Sequence, residues 1–169
     1  MPKSHMSRPN QNQLYNMSQN SSNPVAGLHK SKMYSLILAG LALVSLLLPW
    51  ITVSARGFGV GYSHNGFGGW GYLALLGVAA AIASCFMGDK TKAYDDMSKK
   101  VALGGFGAIA GGAVIYLIRI ISVGGAYGIK PSPGFGLFIG LAAGAIGLLL
   151  LLGIIKPPKS IDEKVDKLS

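Results

Sequence analysis

Residues 101–123, VALGGFGAIAGGAVIYLIRIISV, constrain this chain more than any other stretch. Over 23 residues the run carries a single charge, Arg119. Wound as an α-helix it rises about 1.5 Å per residue and spans the roughly 30 Å hydrocarbon core of a bilayer. At about 100° per residue, Gly104, Gly105, Gly107, Ala108, Gly111 and Gly112 fall on one face. Phe106, Ile109, Ala113, Val114 and Leu117 fall on the other. Inside lipid a stripe of small residues lets a second helix backbone come close, so this run is expected to be a membrane helix gripped by a neighbour.

Three further apolar runs occupy residues 33–50, 71–87 and 135–155. The fold class predicted is an all-α integral membrane protein, a four-helix transmembrane bundle over residues 33–156. In the last run Gly136, Gly140 and Gly144 form GxxxGxxxG, and Gly147 shares their face. The third and fourth spans therefore offer matched small faces and are expected to pack as a close antiparallel pair. The second run has small-xxx-small pairs of its own, Gly77/Ala81 and Ala80/Ser84. Trp50 and Trp70 read as interfacial anchors, where an amphipathic ring sits between lipid and water. A cleaved signal peptide is the rival reading of the first run. A basic leader precedes it, and Val53-Ser54-Ala55 matches a small-residue cleavage pattern. The run is long for a signal peptide, and Pro49-Trp50 favours an uncleaved helix.

Between the first two runs the material changes. Ile51, Val53 and Ala55 alternate with polar residues, and Phe58, Val60 and Tyr62 alternate with glycines. Two period-2 segments meeting at Arg56-Gly57, followed by a turn at Asn65-Gly66, predict a short outward β-hairpin between helices 1 and 2. Such a hairpin is marginal alone and must lean on helix ends or a partner. Residues 88–100 form a polar loop in which Asp95/Lys99 and Asp96/Lys100 have i,i+4 spacing, favouring a solvated helical turn. Residues 124–134 form a second outer connection, whose two prolines stop helix. Residues 1–32, rich in Asn, Gln and Ser, cannot form a core and read as a disordered tail, either a solvated leader or an interaction segment. Residues 157–169 form a charged tail that opens on two prolines.

Charge orients the bundle. Of the fifteen Lys and Arg residues, twelve lie in the N-terminal tail, the 88–100 loop and the C-terminal tail, together with all six acids. Only Arg56 and Lys130 lie on the other side, with Arg119 inside a span. The positive-inside rule then predicts a multi-pass plasma (inner) membrane protein with both termini cytoplasmic. The same rule explains the net charge of +9 without nucleic acid. Half the residues are hydrophobic and 12% are charged, and the 25 glycines show no collagen-like period, which again selects the membrane class.

Few residues are candidates for chemistry. An ionisable group inside a span is a functional hypothesis by default, and the helical angle of Arg119 puts it on the glycine face with Ser122. No Asp or Glu lies in any span or outer loop. Arg119 is therefore an intramembrane polar anchor to loop carbonyls or hydroxyls (Thr52, Ser54, Ser63), a contact for a lipid headgroup, or a partner contact. His64 is alone in the outer segment, so no metal set is expected. The Gly57–Gly61 run, GFGVG, is followed by no helix and is not a phosphate loop. No nucleophile–base–acid set exists, so no catalytic residue and no cofactor are expected. The single cysteine, Cys85, forbids an internal disulfide. It reads as a small buried hydrophobe, with lipidation near the inner interface as the alternative.

Leu48-Pro49-Trp50 followed by Val53-Ser54, a glycine-rich loop ending Gly68-Gly69-Trp70-Gly71, and four spans together resemble the small, uncharacterised bacterial tetraspan membrane proteins. In that group LPW often closes the first helix and a DGxG-like turn precedes the second. Here the turn is Asn65-Gly66-Phe67-Gly68, without the acid. The resemblance covers roughly residues 32–156 and implies no activity. A looser similarity of layout links the chain to claudin-like tetraspans, whose paired loop cysteines are absent here. The expected function is that of a non-enzymatic membrane protein, a structural or accessory subunit. Its expected partners are the lipid bilayer and other membrane proteins or further copies of itself. The alternative is an oligomeric pore or small-molecule transporter, although the spans hold no acid or histidine for ion coupling.

Overall fold

A computed structural model describes residues 27–55, 61–123 and 129–156. The expectations for residues 1–26, the Arg56-Gly57 turn, residues 124–128 and residues 157–169 lie outside the described residues. The elements run α1 (Lys30–Leu47), β1 (Pro49–Ala55), β2 (Gly61–Asn65), α2 (Gly71–Phe86), α3 (Asp96–Val123), β3 (Ile129–Pro133) and α4 (Phe135–Leu151). The described chain is therefore mostly helical, with a small three-stranded sheet.

Helix ends follow local chemistry. The His29 ring accepts a hydrogen bond from the Ser31 N–H at 3.3 Å and starts α1. The helix stops at Leu47, not at Trp50, because Pro49 disfavours helical backbone in the residue before it and Leu48 is extended. α3 begins at Asp96, earlier than the apolar run alone indicates. Asp95 caps it, accepting from the Ser98 hydroxyl through its carboxylate and from the Lys99 N–H at 2.9 Å through its backbone carbonyl. By length and composition two helices, Lys30–Leu47 and Asp96–Ser122, can cross a membrane; α2 and α4 are shorter apolar helices of 16 and 17 residues.

An antiparallel strand pair is present as predicted, but its second strand is Gly61–Asn65 rather than the 58–62 alternation. Residues 58–60 lie outside the described residues, and the pair is part of a larger sheet. β1 is central in the antiparallel order β2-β1-β3. Ile51 faces His64 and Val53 faces Tyr62 on one side, while Ile51 faces Pro133 and Val53 faces Pro131 on the other. Residues 124–134 were expected to be a connection whose prolines stop helix, yet Ile129–Pro133 form a strand. An edge strand tolerates prolines, and the ladder continues through the Gly134 N–H to Trp50 O at 2.9 Å. The α1–α2 and α3–α4 connections thus share one sheet and lie at the same end of the bundle. The α2–α3 loop lies at the other.

Each helix packs on two others in a ring: α1 on α2, α2 on α3, α3 on α4 and α4 on α1. α3 and α4 do pack as a close pair, but through Gly144 and Gly147 of α4; the α3 glycines that are buried, Gly105 and Gly112, meet α2 instead. A Cβ placed on Gly105 would lie 2.7 Å from the Ala81 N and the Gly77 O, and one on Gly112 would lie 3.1 Å from the Ala74 N. Gly104, Gly107 and Gly111 face open space. The α4 stripe is divided between two neighbours. Gly136 and Gly140 press on Ser45 at the end of α1, with Gly140 also against the Trp50 ring. Gly144 and Gly147 press on Ala110 and Phe106 of α3.

The interior is built largely from small side chains, among them Ala39, Ala42, Ala74, Ala81, Ala113 and Ala143, around a few large ones, Trp50, Phe106, Ile109 and Leu137. Many large aliphatic and aromatic residues point outward instead, among them Ile37, Ile118, Ile121 and Phe138; Leu76 and Phe135 are 68% and 73% exposed. Trp50, expected as an interfacial anchor at a helix end, lies in β1 and is buried completely. Its indole N–H donates to the Ser45 carbonyl at 2.7 Å, and its ring meets Tyr116 edge-on with centroids 5.4 Å apart.

Candidate functional site

At the sheet end the last turns of α3 and the strands enclose a cavity of about 400 Å³. Arg119, Tyr116 and Ile120 line it from α3, Ile51 and His64 from the sheet, and Trp70 from the turn before α2. Local backbone chemistry sets the turn. The Asn65 side-chain oxygen accepts from the Phe67 N–H at 3.3 Å, forming an Asx turn. The Gly66 N–H donates to Leu46 O at 2.9 Å, tying this turn to the end of α1. A Cβ on Gly66 would lie 2.7 Å from the Trp50 ring. Gly69 adopts φ +56°, a left-handed conformation that glycine takes without strain. Trp70 therefore stands half-exposed at the start of α2, and the His64 ring lies over Gly68.

Arg119 is exposed to this cavity. Among the described residues it makes no hydrogen bond and no ion pair. The reason is compositional, since all six acids fall at residues 89–96 and 162–166. The cavity thus pairs one cationic fork with the aromatic walls of Trp70 and Tyr116, an arrangement suited to an anionic group carried on an apolar body. Ser122, expected beside Arg119, is not part of the cavity lining. Its hydroxyl donates to Ile118 O of its own helix at 2.9 Å. The hydroxyl of Ser132 donates to the Thr52 carbonyl at 3.2 Å. Among the described residues neither Thr52 nor Ser63 bonds Arg119, and the Ser54 side chain lies outside them. Of the residues singled out from the sequence, the fold brings together Arg119, Trp70 and His64. Tyr116 was missed, because its position toward the sheet depends on Trp50 packing beneath it.

The opposite end holds a second polar cluster that the sequence did not reveal. Lys32, counted only as a flanking charge, is 1% exposed. Its ammonium donates to Met87 O at 2.9 Å and Asp89 O at 3.0 Å, just past the C-terminus of α2, where the helix dipole favours a cation. The Tyr94 ring lies 5.5 Å below it. The Tyr94 hydroxyl is 3.3 Å from the Cys85 thiol, which is buried completely. Burial, followed by the contact with Cys85, raises the Tyr94 phenol above its usual range, so it stays protonated. The Thr91 hydroxyl holds the exposed Asp89 carboxyl below the usual range, and the Ser98 hydroxyl does the same for Asp95. Among the described residues no three His, Cys, Asp or Glu side chains are grouped as a metal site requires.

No protein-family model, curated protein or solved structure matches this chain.

Proposed function

We propose that this chain is a non-enzymatic, multi-pass membrane protein whose Arg119 cavity docks an acidic side chain of a partner membrane protein. Its role is that of a structural or accessory subunit. The membrane reading is supported by the inside-out packing, with small residues within and large aliphatic residues without, a pattern rare on water-soluble monomers. Lipid surrounds the helices, the sheet end faces outward, and both termini are cytoplasmic, as the lysine distribution favours. The observation that carries the docking role is the guanidinium of Arg119, which has no acidic partner among the described residues, at the mouth of an aromatic-walled cavity. An intramembrane cation of this kind calls for a partner.

The test is purification of the full chain in mild detergent, with mass spectrometry of co-eluting proteins, for the wild type and Arg119→Gln. A stoichiometric partner lost in the variant, at unchanged circular dichroism and thermal midpoint, supports the reading. A partner retained by the variant overturns the docking role, as does a lone homo-oligomer that conducts in planar bilayers. The pore alternative finds little support in an interior filled by Trp50, Phe106 and Ile109. Single cysteines at Lys100 and Lys156 in a Cys85→Ser background test the topology separately. Both must label from the cytoplasmic side.

A further inference from the structure

The end of the bundle opposite the sheet carries a second cavity, of about 470 Å³, where the start of α1, the start of α3 and the residues after α4 converge. His29, Lys30, Lys99 and Lys156 line it, and Leu151 and Ile155 form an apolar lip. Among the described residues no carboxylate lines it. Of the two acids just before Lys99, neither lines the cavity, and Asp95 is held by Ser98 at the cap of α3. The lip continues into Leu152 and Ile154, which are exposed. We infer that this cavity is a headgroup site for an anionic phospholipid of the inner leaflet, an assignment that rests on the membrane reading above. Two features of the site select that ligand together. The ammonium groups of Lys99 and Lys156 complement a phosphate, and the adjoining apolar lip takes the first segments of an acyl chain. A water-soluble phosphate engages only the first feature, and a zwitterionic lipid brings no net negative charge. Basic pockets between helices on the cytoplasmic side recognise anionic headgroups on these grounds.

The experiment uses the full chain in a neutral detergent and reads lipid adducts by native mass spectrometry and thermal midpoint by circular dichroism. The probes are phosphatidylglycerol, phosphatidylcholine and glycerol phosphate. The wild type binds phosphatidylglycerol at least roughly tenfold more tightly than phosphatidylcholine and is stabilised by it. The double variant Lys99→Gln/Lys156→Gln, changed at two exposed side chains, keeps its helicity and loses that preference. Equal binding of the two lipids overturns the inference, as does a preference that survives in the double variant. Glycerol phosphate binding as tightly as phosphatidylglycerol replaces the lipid site with a site for a soluble anion and also overturns it. Failure of the membrane reading is distinguishable, because the chain then stays monodisperse in buffer without detergent before any lipid is added.

Discussion

Replacing Gly105 by alanine tests the close approach of α2 and α3 that organises the bundle. A Cβ there lies 2.7 Å from the Ala81 N and the Gly77 O, about 0.7 Å short of ordinary contact. Both obstacles are backbone atoms, so no side chain can swing aside and the helices must part. Overpacking of this kind costs about 1–3 kcal/mol. The gain in helix propensity from glycine to alanine offsets about 0.8–1 kcal/mol of it. Gly111→Ala is the internal control, because a Cβ there meets nothing within 4 Å and only the propensity gain remains. The propensity term cancels between the two variants. Gly105→Ala is therefore expected to be less stable than Gly111→Ala by about 1–3 kcal/mol. Reversible unfolding in mixed micelles with increasing sodium dodecyl sulfate, followed by far-ultraviolet circular dichroism, measures the difference. Agreement of the two variants within about 0.5 kcal/mol, the scatter of neutral surface changes, refutes the α2–α3 packing described above.

Lys32→Met removes the donor of two part-buried carbonyls, Met87 O and Asp89 O, and is expected to destabilise by about 1–2 kcal/mol in the same assay. Trp50→Phe loses the hydrogen bond to Ser45 O and is expected to cost about 1–2 kcal/mol, whereas Trp70→Phe, half-exposed, costs less than about 0.5 kcal/mol. The Asp95 carboxyl is held below its unfolded value, so its contribution is full above the unfolded pKa and is lost as pH falls through the folded one. Stability measured from pH 6 down to about 3 is expected to fall less steeply in Asp95→Asn than in the wild type; parallel profiles would remove the Ser98 contact as the cause.

Helix and strand were legible along most of the chain because their signals are local. Apolar runs of helical length marked the four helices. Period-2 alternation from Ile51 to Ala55 marked the first strand, but the second falls at Gly61–Asn65, largely beyond the alternation at 58–62. That no Asp or Glu lies in the apolar runs or the two connections beside Arg119 was also plain before any fold was known, since it is a matter of composition. The partners of each face were not legible. A helix that is apolar all round has no polar side to mark its outside, so the azimuth of α3 followed from the shape of its neighbours. That shape put Gly105 and Gly112 against α2 and left Gly104, Gly107 and Gly111 open. Residues 129–133 form a strand because β1 offers them a free edge, on which Pro131 and Pro133 need no donor. Trp50 and Lys32 illustrate the same division. Sequence placed a ring and a charge near the ends of an apolar run. Only the tertiary structure supplied the Ser45, Met87 and Asp89 carbonyls that let both side chains be buried. A buried polar group needs a hydrogen-bond partner, and for both residues the partner belongs to backbone whose position folding alone decides.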